Sequence, residues 1–166
     1  MLDFIAPALE LIASLYATPV GIQGWTLLAL RVGLGVLFVL HGYPKLTHLQ
    51  TWSSHLKMPI YLCALSASSM FLGGFCLILG LLTPLACLTI LGSMAFALYL
   101  EVVGGMPLVA SDPYLIPEGE YEGPNGKGEP PSQEKALVYN LMLLVLLAFG
   151  PGGFSLDAWL LSLLTR

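Results

Sequence analysis

From Met58 to Leu82 the chain runs for 25 positions without a charged side chain. At about 1.5 Å of rise per residue, a helix of that length reaches across the ~30 Å hydrocarbon core of a bilayer with room for tilt. Inside lipid every backbone N–H and C=O must be bonded within the chain, so an apolar run of this kind selects a helix. A second run, Trp25 to Leu40, is interrupted only by Thr26 and Arg31. From Gly24 to His41 it covers about 26 Å as a helix. A third run extends from Pro84 to Leu100 and closes on Glu101, and a fourth lies between Glu134 and Phe149. The composition agrees: 57% of residues are hydrophobic and 10% charged, against about 25% charged in an ordinary soluble domain. These runs predict an all-α integral membrane protein, a four-helix bundle with spans at about 24–42, 58–82, 84–101 and 134–149. The length suits one membrane domain over 1–166.

The segments between the spans carry their own signals. Residues 3–17 have a broad apolar face at helical spacing, but Asp3, Glu10 and the short length predict an N-terminal helix lying in the bilayer interface. Pro44 predicts the end of the first long helix. Residues 46–57 are amphipathic, and Trp52 suits the headgroup level. Ala64, Ala67, Ser68, Gly73 and Gly74 make the second span able to pack closely. Thr83-Pro84 predicts a tight turn. Residues 104–134 hold six glycines, six prolines and six acidic residues, a long extramembrane loop with a short hairpin around Pro124-Asn125-Gly126. Gly150-Pro151-Gly152-Gly153 stops the fourth span. Ser155 to Leu164 then predicts a short C-terminal interfacial helix, capped by Ser155 with Asp157 in its first turn. Both termini and the Thr83 turn fall on one face, and the loops starting at Gly42 and Gly104 on the other. The loop-side lysines lean towards a cytoplasmic loop face. The N-terminus has no basic n-region or small-residue cleavage site, so no signal peptide is read.

Several chemistries are set aside. The net charge of −4 comes largely from the acidic loop, which argues against nucleic acid as a partner. Cys63, Cys76 and Cys87 form no CxxC pair and read as packing residues, although Cys76 and Cys87 flank the Thr83-Pro84 turn. His41, His48 and His55 recur every seven residues, but Pro44 breaks their common helix and no carboxylate or cysteine completes a set, so no metal site is read. Asp112, Glu118, Glu120 and Glu122 lack the EF-hand spacing for calcium, and the acidic loop reads as solvated.

The polar residues that remain gather at two levels. His41 lies 17 residues after Gly24, and Glu101 lies 17 after Pro84, so the two side chains are expected at similar depth on parallel helices. Lys45 follows shortly after, and Tyr139 enters the fourth span from the same face. A cluster of His41, Lys45, Glu101 and Tyr139 would bind a quinone carbonyl or pass a proton, since imidazole titrates near neutrality. The alternative is a belt of polar groups that ties helix ends together and snorkels to water. A haem or chlorophyll ligand at His41 is the weaker reading. At the opposite level the glycine-rich bend after Phe149 returns the chain towards the first helix, so Arg31 and Asp157 are expected as a structural ion pair. An anionic lipid headgroup competes for Arg31.

Three stretches, RVGLGVLFVLHGYPKL at 31–46, LGGFCLILGLLTPLACL at 72–88 and FGPGGFSLDAWL at 149–160, resemble the DoxX family of small four-helix membrane proteins. The His-Gly-x-x-Lys end of the first helix and the Gly-Pro-Gly-x-x-Ser-x-Asp segment are the more specific pieces. The resemblance implies a multi-pass protein of an inner, plasma or energy-transducing membrane, with relatives linked to quinone chemistry such as thiosulfate:quinone oxidoreductase. One departure stands out. Relatives often have an acidic residue three positions before the paired glycines of the second helix, and here that position is Met70. The resulting expectation is an accessory or quinone-associated subunit of a larger membrane redox complex, non-catalytic on its own, with the lipid bilayer and other membrane subunits as partners. The alternatives are a stand-alone quinone-linked membrane oxidoreductase and a purely structural subunit of a pigment-binding or respiratory assembly.

Overall fold

The computed structural model describes residues 19–164 apart from 124, 125 and 129. The interfacial helix expected over residues 3–17 lies outside the described residues. Six α-helices are present among them: α1 (Ile22–Thr47), α2 (Leu49–Leu56), α3 (Ile60–Leu79), α4 (Thr83–Val103), α5 (Glu134–Phe149) and α6 (Leu156–Leu164). A single 3-10 turn, Pro113–Leu115, and a two-residue antiparallel ladder, Glu122–Gly123 against Gly126–Lys127, lie in the loop between α4 and α5.

The helix α1 runs through Pro44 to Thr47, where the sequence predicts a stop. Pro44 sits in the last turn, so its missing N–H removes one bond near an end that frays anyway, and its fixed φ is close to helical. The Thr47 hydroxyl donates back to the Tyr43 carbonyl at 3.2 Å, and the His48 N–H to that of Pro44 at 3.0 Å. The chain bends at His48 and re-forms as α2. Lys57, in the left-handed region at φ 52°, closes α2 by donating to the Ser53 and Ser54 carbonyls.

The end of α3 shows how the 58–82 run is divided. Gly80 adopts φ 66°. The Leu81 N–H reaches the Cys76 carbonyl at 2.9 Å and the Gly80 N–H that of Leu77 at 3.2 Å, the bond pair of a Schellman motif. Leu82, at φ 49°, then turns the chain into α4, with Pro84 in the first turn.

Packing is closest where side chains are absent. Gly35 of α1 faces Gly74 of α3: a Cβ on Gly35 would stand 2.7 Å from the Gly74 carbonyl, and one on Gly74 would stand 2.8 Å from that of Gly35. One turn-pair further, a Cβ on Gly42 would meet the Phe71 backbone nitrogen at 2.7 Å. Gly73, on the adjacent side of α3, receives Ile90 of α4. The hydroxyls of Ser66 and Ser93 bond across the α3–α4 contact. The helix α5 packs on α4, and Leu34, Phe38, Leu77, Ile90, Leu143 and Leu146 fill the centre. On the outside, Leu65, Leu72 and Leu79 form an exposed apolar stripe on α3, the surface expected towards lipid. Three helices, α1, α3 and α4, are long and apolar enough to cross a membrane. With 16 residues α5 covers about 24 Å, short of the ~30 Å core.

Candidate functional site

At one end, the α3–α4 turn, the start of α1 and the α5–α6 bend meet. Arg31 is 1% exposed, and its guanidinium lies on Gly80, where any Cβ would overlap Nη1. Nη2 donates to the Phe154 carbonyl at 2.7 Å. Nε and Nη1 are buried and have no hydrogen-bond partner, and neither has the Thr83 hydroxyl.

Asp157, expected opposite Arg31, spends its carboxylate elsewhere. One oxygen accepts the Leu82 N–H at 2.7 Å and the other the Thr83 N–H at 2.8 Å. These are donors at the start of α4 that have no partner within the helix, and a carboxylate there also meets the positive end of the helix dipole. The Asp157 N–H donates to the Gly80 carbonyl at 2.8 Å. Arg31 and Asp157 are thus tied to the same turn through Gly80, Phe154 and the α4 cap. Ser155 accepts the Ala158 N–H at 3.1 Å and caps α6, and the Gly153 N–H reaches the Pro19 carbonyl at 3.0 Å. Trp25 and Phe154 rings pack at 4.7 Å. The sequence marks Thr83 only as part of a tight turn, and it gives Gly80 and Leu82 no role at a site. The only signal was a glycine closing an apolar run just before Thr-Pro.

This junction resets the depth scale. Arg31 is level with the α3–α4 turn, so the start of α1 projects beyond it. His41 lies ten residues past Arg31, whereas Glu101 lies eighteen past Thr83. At 1.5 Å per residue the difference places Glu101 about 12 Å further towards the loop end. The equal depth expected for His41 and Glu101 assumed that Gly24 and Pro84 were level, and the packing of Arg31 on Gly80 corrects it.

The structure brings His41 and Tyr139 together: the rings meet edge to face with centroids 5.9 Å apart, and Tyr139 also packs on Phe38 at 5.2 Å. His41 is exposed at the helix surface, and its Nδ1 lies 2.9 Å from the Leu37 carbonyl. A carbonyl only accepts, so Nδ1 carries the proton and Nε2 is the acceptor of the neutral ring. Lys45 turns away from this pair. Its Nζ donates to the Met70 sulfur at 3.4 Å and lies 4.8 Å from the centroid of the Trp52 ring. Glu101 has one carboxylate oxygen buried without a partner. In the adjacent helix the Asn140 amide donates to the Ala136 carbonyl at 2.8 Å, and its buried oxygen is likewise unpartnered. Cys63, Cys76 and Cys87 are free thiols.

No curated protein and no solved structure matches the chain. One family model does, over residues 26–106, and its description is DoxX.

Proposed function

Taking this chain as a member of the DoxX family through residues 26–106, we propose that it is a quinone-associated accessory subunit of a membrane redox complex. In this reading α1, α3, α4 and α5 all cross the bilayer as a four-helix bundle, and the loop over 104–134 stands on the face opposite the termini. The observation that carries the proposal is the orientation of His41. Its Nδ1–H is committed to Leu37, its ring edge is set by Tyr139, and the side chain is exposed on the surface of an apolar helix. Nε2 is therefore the ring nitrogen left for a ligand. In the neutral ring Nε2 accepts the O–H of a quinol, and in the protonated ring the same atom donates to a quinone carbonyl. Tyr139 packs edge to face with the imidazole and limits its rotation.

The test is the quinone content of the full-length protein purified in mild detergent, extracted and quantified for the wild type, His41→Ala and His41→Gln. Loss of quinone in both variants with unchanged helical content is expected. Equal quinone content in all three would remove the proposal. Co-migration of the wild type with a larger assembly in the same preparation is expected for an accessory subunit, and migration as an isolated chain would count against that role.

A further inference from the structure

Residues 11 to 100 contain no aspartate or glutamate, yet they hold Arg31, Lys45, Lys57 and all three histidines. Arg31 is enclosed at the α3–α4 turn. The two lysines flank the elbow where α1 passes into α2. Lys45 lies in the last turn of α1, and Lys57 closes α2. Within its own stretch of sequence the elbow therefore has cations and no acid.

The partners of Lys45 sharpen the point. An ammonium group has three donors, and the thioether of Met70 is a weak acceptor. The Trp52 ring offers its negative face to the cation. Neither group carries a compensating charge. Among the described residues neither Lys45 nor Lys57 has a carboxylate partner. Lys45 is partly buried at the end of a helix long and apolar enough to span a membrane, so an uncompensated charge there is costly. Trp52 is on a short amphipathic helix, the setting in which tryptophan sits at headgroup level.

We propose that the α1–α2 elbow binds the phosphate of an anionic phospholipid headgroup, with Lys45 as the principal ligand. The phosphate oxygens supply both the missing counter-charge and strong acceptors for the free ammonium donors. The Trp52 ring holds the Lys45 ammonium against α2, and Lys57 adds to the positive field at the other end of that helix. The site is separate from the His41–Tyr139 contact, because Lys45 turns to α2 and α3 while His41 turns to α5.

The test is native mass spectrometry of the delipidated full-length protein offered equal amounts of phosphatidylglycerol and phosphatidylcholine, with inorganic phosphate as a third arm. The wild type should retain phosphatidylglycerol in preference. Lys45→Gln should lower that preference about fivefold, the weight of one cation near a membrane surface. Met70→Glu should lower it as well while leaving the cation in place, because the new carboxylate would lie within reach of Nζ. Lys45→Arg and the loop variant Lys127→Gln should keep it, and circular dichroism should show the same helical content throughout. Equal preference in the wild type, Lys45→Gln and Met70→Glu would overturn the site. Displacement of the lipid by millimolar inorganic phosphate would overturn the lipid as its source.

Discussion

Substituting Gly80 by alanine should cost more than the turn geometry alone accounts for. A non-glycine residue at φ 66° carries strain of about 1–2 kcal/mol. The added Cβ would also overlap the Arg31 guanidinium and stand 2.6 Å from the Ser155 Cβ. Arg31 would have to shift, giving up its bond to the Phe154 carbonyl, a charge-assisted contact worth about 1.5–3 kcal/mol. Together the two effects predict a loss of about 2.5–5 kcal/mol for Gly80→Ala. The assay is denaturant unfolding in detergent micelles, followed by far-UV circular dichroism and by tryptophan fluorescence, since Trp25 packs on Phe154 and reports on the docked bend. In an Arg31→Met background the same substitution should cost closer to the strain alone, about 1–2 kcal/mol. An equal cost in the two backgrounds would refute the proposed coupling between Gly80 and Arg31. A total loss under about 1 kcal/mol would refute the strain as well.

Asp157→Ala leaves the Leu82 and Thr83 N–H groups without their acceptor and should destabilise by about 2–4 kcal/mol in the same unfolding assay, with Asp157→Asn intermediate; a change within error for both would mean that water replaces the cap. Gly35→Val places its Cβ against the Gly74 backbone and should cost at least about 1–3 kcal/mol by forcing α1 and α3 apart, whereas Gly33→Val, where the added carbon meets nothing within 4 Å, should be near neutral; similar thermal midpoints for the two variants would refute the close crossing. Cysteines introduced singly for Leu2, Asn125 and Thr165 in a background lacking the native thiols should label with a membrane-impermeant reagent from opposite sides, position 125 against the other two. Labelling of all three from one side would remove the four-span topology.

Much of this architecture is legible along the chain because lipid makes the rule local. Each apolar run must satisfy its own backbone, so helix positions follow from run length, and α3, α4 and α5 start or end close to Thr83, Glu134 and Gly150 as read. The cap on α6 was legible for the same reason: Ser155 accepts from Ala158, a near neighbour in sequence. Pro44 shows where a local rule gives way, since a proline in a last turn removes a single bond and the helix continues to Thr47.

The relative heights of the helices are a tertiary matter. Sequence counting measures distance along each helix from an assumed common origin. That origin was set by packing, through Gly80 receiving Arg31 and Gly35 crossing Gly74, and it moved Glu101 away from His41. The partner of Asp157 was decided in the same way. Charge alone pointed to Arg31, but the carboxylate reached two backbone donors that exist only once α4 begins at Thr83. Residue types and run lengths thus determine that the chain enters a membrane as helices and which polar side chains it carries there. Which of those groups meet is decided by backbone contacts at glycines and helix ends, and these come from residues 123 and 74 positions apart in the chain, as in Arg31 with Phe154 and Thr83 with Asp157.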